Sequence, residues 1–407
     1  MHYSSFSLSN GLRIIYLPSK NPVTYSGFAV DAGARDEQTT EHGLAHFVEH
    51  NLFKGTRKRK AWHILNRMEA VGGELNAYTN KEETFLYAVC LSEDTERAVE
   101  LLSDLVFHSQ FPASEIEKER EVVIDEINMY EDTPSDLIFD EFENLLFENS
   151  ELGHNILGDT NSLRGFTSDS CRSFSERFYH PGRMAFFLSG NFSENKLRRL
   201  VDKYMTVEDR HGNTDYRREI PKDIPARSLS VDKDLHQSHM ITGKRVCSAF
   251  DGKRIALQLL NNILGGPGMN SRLNVELREK RGLVYAVESG LNFYSDCGIF
   301  TVYLGCGHKD RERCFELVCR ELKKLRENRL TATQFSAAVR QFKGQLGISA
   351  DQHENFALGV GKRFLRFNGC ESLEETYRKI DLVKAEDLLG AANEFLEEEE
   401  LFSLCYH

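Results

Sequence analysis

Residues 63–91, HILNRMEAVGGELNAYTNKEETFLYAVCL, and residues 271–306, SRLNVELREKRGLVYAVESGLNFYSDCGIFTVYLGC, run alike. In each, a helical rhythm of apolar residues gives way to strand-like alternation, and each follows an apolar-periodic helix, RIALQLLNNIL (254–264) in the second case. The echo predicts two copies of one α/β unit. Upstream, GLRIIYLP (11–18) and VTYSGFAVDAG (23–33) alternate as strands, and residues 92–95, SEDT, open a helical run through Leu101, Leu102, Leu105 and Val106. Strands and helices are therefore intermixed, which gives an α+β or α/β class, α+β being the expectation. Between the copies the text turns polar, with Pro221 and Pro225. This sets the expected organisation: a first domain over 1–210, a linker over 211–230 and a second domain over 231–407.

The whole chain has 407 residues, 40% apolar and 28% charged, which is ample for packed cores and excludes a disordered or collagen-like chain. Its 51 basic against 63 acidic residues leave a net charge of -12, which argues against nucleic acid as a partner, because binding phosphate needs clustered cations. The one basic run, Lys54 to Lys60, is short. No apolar stretch is long enough to cross a membrane, and the opening MHYSSFSLSNGLRIIYL has neither a basic start nor a continuous apolar core. The nine cysteines are odd in number and lack CxxC pairs, as in a reducing compartment. A cytoplasmic location is expected. Cys314 and Cys319, with His308 upstream, lack a second ligand pair and read as small buried residues, not a zinc knuckle.

The sharpest local signal is HGLAHFVEHNLFKGT (42–56). His46 and His50 are four apart, so on a helix both project from one face and can bind one metal ion. Glu49 lies beside them, placed to accept a proton from water without being a ligand. This is the inverted zinc pattern H-x-x-E-H. A catalytic zinc takes three protein groups, so a third is required. The segment PASEIEKEREVVIDEINMYEDTP (112–134) places Ile116, Val123, Ile127 and Tyr130 on one apolar stripe. Glu119 and Glu126, seven apart, point nearly the same way along its edge, where a carboxylate needs a partner. Glu126 is the candidate ligand and Glu119 the candidate for orienting a histidine.

With these motifs the chain resembles the pitrilysin, insulinase and mitochondrial-processing-peptidase family of zinc metallopeptidases, in its short, single-unit bacterial form. Matching segments span the sequence: EHGLAHFVEHNLFKGT, VGGELNAYTNKEET, EREVVIDEINMYEDTP, GHNILGDTNSLRGFT, FYHPGRMAFFLSGNFS and LGGPGMNSRLNVELREKRGLVYAVESG. Asn51 departs from the family's usual apolar residue. The resemblance implies one Zn²⁺ per chain on His46, His50 and Glu126, the last standing 76 residues past His50. It implies two homologous α/β domains, each an antiparallel-rich sheet flanked by helices, forming half of a clam shell. It also implies that Glu49 is the general base, and that Glu119, Arg278 and Tyr285 assist catalysis, the last two by gripping the substrate. The strand with Gly73, Leu75, Asn76, Ala77 and Tyr78 would pair with an extended peptide. The expected activity is hydrolysis of peptides or unfolded segments inside a homodimer whose Arg278 and Tyr285 act in trans. The alternative is a non-catalytic or partner-dependent subunit, the state of relatives that have lost the metal residues.

Overall fold

The computed structural model describes residues 3–207 and 217–407. Of the expected linker, residues 211–216 lie outside the described residues. In chain order the first half holds β1 (Ser4–Ser7), β2 (Arg13–Pro18), β3 (Val23–Val30), α1 (Leu44–Leu52), α2 (Ala61–Glu69), β4 (Glu74–Thr79) and β5 (Thr84–Leu91). Then come α3 (Thr95–His108), α4 (Ala113–Glu131), α5 (Pro134–Leu146), α6 (Thr160–Gly165), α7 (Ser168–Phe178), β6 (Met184–Gly190) and α8 (Glu194–Met205). The second half holds β7 (Ser228–Val231), β8 (Ser238–Val246), α9 (Arg254–Gly265), β9 (Val284–Phe293), β10 (Gly298–Cys306) and α10 (Arg311–Glu327). It continues through α11 (Ala332–Ser349), α12 (His353–Phe367), α13 (Leu373–Leu382) and α14 (Ala385–Phe395) to β11 (Phe402–Tyr406).

Among the described residues the first sheet runs β1-β2-β6-β3-β5-β4 and the second β7-β11-β8-β10-β9. Apart from β1, the two orders are the same when strands are matched in chain sequence, β2 to β7 through β6 to β11. Each contains one parallel pair at the matching place, β2 with β6 and β7 with β11, and is otherwise antiparallel. The echo between residues 63–91 and 271–306 is thus the visible part of a repeated topology.

Each sheet buries both faces. In β2, Ile14 and Tyr16 enter one core with helices α1, α3, α7 and α8, while Ile15 and Leu17 enter another with Ala357, Val360 and Phe364 of α12. Strand periodicity of two sorts neighbouring apolar residues onto opposite faces, which explains why β2 reads as a continuous apolar run. The second sheet does likewise. Phe300, Val302 and Leu304 of β10 face α9, α10 and α14, and Ile299 and Tyr303 face Leu137, Ile138 and Phe142 of α5. Two segments therefore change places. The first compact unit comprises Met1–Met129, His154–Glu219 and Ser349–Glu371, and the second Tyr130–Gly153, Ile220–Ile348 and Ser372–His407. Within the first unit Arg218 pairs with Asp36, at 2.8 Å, and donates to the Glu82 carbonyl.

Among the described residues no helix is long and apolar enough to cross a membrane. All nine cysteines are thiols. Cys314 is buried. The His308 ring is engaged by Ser238 Oγ at 2.8 Å and the Leu235 carbonyl at 2.9 Å, not by a thiol.

Candidate metal centre

The helix α1 forms because Leu44, Phe47, Val48 and Leu52 present one buried stripe to the core. Its start needs Gly43. That residue lies at φ 95°, and a Cβ there would come within 2.5 Å of the Leu157 carbonyl oxygen. Glycine cannot cap the helix with a side chain, so the first amides are met from upstream. Glu37 Oε2 accepts the Gly43 N–H at 2.8 Å, and Oε1 accepts the Ala45 N–H at 2.6 Å. His154 Nε2 lies 2.9 Å from the same carboxylate. Burial pushes the Glu37 carboxyl well above its ordinary range, against the pull of the two amides. Burial, then the charge of Lys81, lowers His154 to about 3, so its ring is neutral.

One turn apart on α1, the His46 and His50 rings stand 4.5 Å between centroids. The long helix α4 brings two carboxylates to them. Ile116, Val123 and Ile127 are buried in the core, and Glu119 and Glu126 follow the edge of that stripe. Glu126 Oε2 lies 3.8 Å from His46 Nε2 and 3.5 Å from His50 Nε2. Ligand atoms of these three residues fall within 4.8 Å of one another. Donors held tetrahedrally at about 2.0–2.1 Å from zinc stand about 3.4 Å apart, so the spacing fits such an ion. The donor set, two imidazoles and a carboxylate with a fourth direction left over, fits the same ion.

Glu119 reaches His50 from α4. Its Oε1 lies 2.9 Å from His50 Nδ1 and its Oε2 2.5 Å from Lys54 Nζ. A proton on Nδ1 serves this contact and leaves Nε2, 3.5 Å from Glu126, as the nitrogen able to ligate a metal. Burial pushes the Glu119 carboxyl up, but the hydrogen bonds from His50 and Lys54 hold it below its ordinary value. Desolvation, then neighbouring His50, lowers His46 to about 3. The neutral ring keeps the lone pair that a metal ligand requires. Among the described residues the buried His46 Nδ1 has no hydrogen-bond partner, so packing orients that ring.

Glu49 lies on the same helix, outside the cluster of His46, His50 and Glu126. It is buried, and its Oε2 accepts the Thr79 hydroxyl at 3.0 Å. Burial raises its carboxyl to about 7, opposed by His50 and Thr79. A dication nearby would act in the opposite direction. Asn51 points away, donating to the Phe47 carbonyl at 2.8 Å.

The strand β4 is a sheet edge, hydrogen-bonded to β5 alone among the described residues. Gly72, at φ 68°, closes α2 before it, donating to the Glu69 carbonyl. Gly73 is buried, Leu75, Ala77 and Tyr78 are half-buried, and Asn76 is exposed. Arg278 and Tyr285 belong to the second unit. Arg278, on a π-helical turn over Asn274–Glu279, is exposed at a cavity of about 530 Å³ with the Gly265–Gly268 loop. Tyr285, near the start of the edge strand β9, is 46% exposed. Its ring lies so close over Gly305 that a Cβ there would meet Cζ at 2.2 Å.

Sequence reasoning missed Glu37, His154, Lys54 and Thr79. Lys54 sits in the quoted motif but reads as surface charge, and Glu37 and His154 are 117 positions apart, with no periodicity joining them.

The chain matches the model described as Insulinase (Peptidase family M16) over residues 13–160 and the Peptidase M16 inactive domain over residues 165–342. An uncharacterized zinc protease of Bacillus subtilis is 31% identical over 98% of this chain and 97% of its own length. One from Streptomyces coelicolor is 33% identical over 96% and 86%. Among solved structures, a protease from Helicobacter pylori superposes with a TM-score of 0.92 at 21% identity, covering 100% of this chain and 99% of that one. A peptidase M16 inactive domain from Pseudomonas fluorescens gives 0.91 at 20% identity, over 100% and 98%.

Proposed function

Because the chain belongs to the insulinase family of M16 peptidases, we propose that it is a zinc-dependent endopeptidase hydrolysing peptides or unfolded polypeptide segments. The observation that carries this reading is the convergence of His46, His50 and Glu126 within 4.8 Å, with Glu49 on the same helix. These three residues would hold one Zn²⁺ per chain. When bound, the ion supplies Lewis acidity toward a carbonyl oxygen and acidifies water. The chain's own groups do the rest. Glu49 takes a proton from water and delivers it to the leaving amine. Glu119, braced by Lys54, keeps the His50 ring in one tautomer. The open edge of β4, from Gly73 through Tyr78, aligns an extended peptide by main-chain hydrogen bonds.

Arg278 and Tyr285 offer a guanidinium and a phenol, donors suited to charge developing on the substrate carbonyl oxygen. In this reading they serve the metal site of a second copy in a homodimer, giving two equivalent active sites. The nine thiols suit work in a reducing compartment, the cytoplasm. The competing reading is a non-catalytic subunit, but such a role does not require the complete set His46, Glu49, His50 and Glu126.

Metal analysis and peptide cleavage test the proposal together. The purified protein should carry one zinc per chain and cleave an unfolded peptide. The Glu49→Gln variant should keep the zinc and lose turnover. A Glu49→Gln protein that turns over normally refutes the assignment.

A further inference from the structure

The general base of such a reaction must present one particular oxygen, and a glutamate carboxylate on three rotatable bonds does not do so unaided. Thr79 supplies the constraint. Its Oγ1 donates to Glu49 Oε2 at 3.0 Å, with both side chains buried. Its other neighbour is Thr84 Oγ1 at 3.4 Å, the residue paired with it across β4 and β5. Proton counting decides between the two. The Thr84 hydroxyl gives its own proton to the Ala32 carbonyl at 2.9 Å, so toward Thr79 it can only accept. A threonine has one hydroxyl proton, and the shorter path leads to Glu49. That bond fixes how the carboxylate is turned, with Oε2 held by Thr79 and Oε1 presented for proton transfer.

Thr79 is also the last residue of the edge strand β4. The backbone proposed to align the peptide and the oxygen held on the base are thus joined through one side chain. We infer that Thr79 is a positioning residue for Glu49, tying the base to the end of the substrate strand. The inference rests on the reading of Glu49 as the general base.

Thr79→Val removes the hydroxyl and keeps the shape, and Thr79→Ser restores it. On the zinc-loaded protein we expect Thr79→Val to lower kcat about 10-fold or more, within the range for residues that orient a catalytic group. KM and zinc content should stay within about twofold of the parent. Thr79→Ser should recover kcat to within about threefold. A purely structural role would not separate kcat from KM, nor serine from valine. Thr79→Ala takes the place of valine should valine prevent folding. A Thr79→Val enzyme with parental kcat, or a Thr79→Ser enzyme as slow as valine, overturns the inference. Glu49→Gln run alongside separates the two failures: if it remains active, the reading of the base has failed. If it is inactive while Thr79→Val is fully active, only the role of Thr79 has failed.

Discussion

Replacing Glu37 by alanine tests how α1, the helix of His46 and His50, is held. The carboxylate meets the N–H groups of Gly43 and Ala45 at the start of α1, and its side chain is 0% exposed, so solvent does not screen these contacts. Alanine leaves two buried amide donors unmet. At about 1–3 kcal/mol for each, the loss is about 2–6 kcal/mol, with water entering the gap favouring the lower end. For a unit of this size about 1 kcal/mol moves a melting temperature by roughly 2–4 °C, so the transition of the first unit should fall by about 4–24 °C, with the lower part of that range expected. Calorimetry of the metal-free protein reads this directly, without metal binding contributing to the shift. Chelator competition on the same variant should show weaker zinc binding, since Ala45 directly precedes His46. A metal-free melting temperature within about 2 °C of the parent would refute the claim that Glu37 anchors the helix.

Other predictions concern different links of the same chain of reasoning. His154 is held at about 3, below its ordinary 6.5, so the folded state resists its protonation. Stability from this group is full above pH 6.5 and is lost as pH falls toward 3, by about 2 kcal/mol at pH 5. In His154→Gln, urea titrations of the metal-free protein should show a flatter acid limb, and an unchanged limb would contradict it. Gly305→Ala would drive a methyl into the Tyr285 ring. It should lower kcat/KM about 10-fold or more at constant zinc content, whereas full activity would remove Tyr285 in this position from the reaction. Mixing Glu49→Gln chains with Tyr285→Phe chains should restore substantial activity in the mixed dimer if the site is completed in trans. Activity no greater than either parent variant would exclude that arrangement.

What could be read from the residues follows from what is local. The His46 and His50 pair and the Glu119 and Glu126 edge rest on helical periodicity within single segments, and the folded chain places each on the expected face. Arg278 and Tyr285 carry no comparable signal, and only resemblance singles them out. The edge position of β4 was not legible, because alternation is the same in an edge and an internal strand. Nor was the destination of α5 and α12. Amphipathicity says that Phe142 and Phe364 are buried, but not against which sheet. The contacts of Glu37 with His154 join segments far apart in sequence, and only folding brings them together.

The exchange of α5 and α12 sets the order in which the protein can be made. When the ribosome has released β6 and α8, the face of the first sheet bearing Ile15, Phe85 and Phe187 still waits for Ala357, Val360 and Phe364. At about 5–20 residues per second that face stays uncovered for roughly 10–30 s of synthesis. Over the same interval α5 is complete but its own sheet still lacks the strand β11. The first unit cannot close before α12 has been translated, nor the second before β11 has, so each core waits on a segment made long after its first strands, and nascent chains stalled before residue 353 should be favoured clients for chaperones.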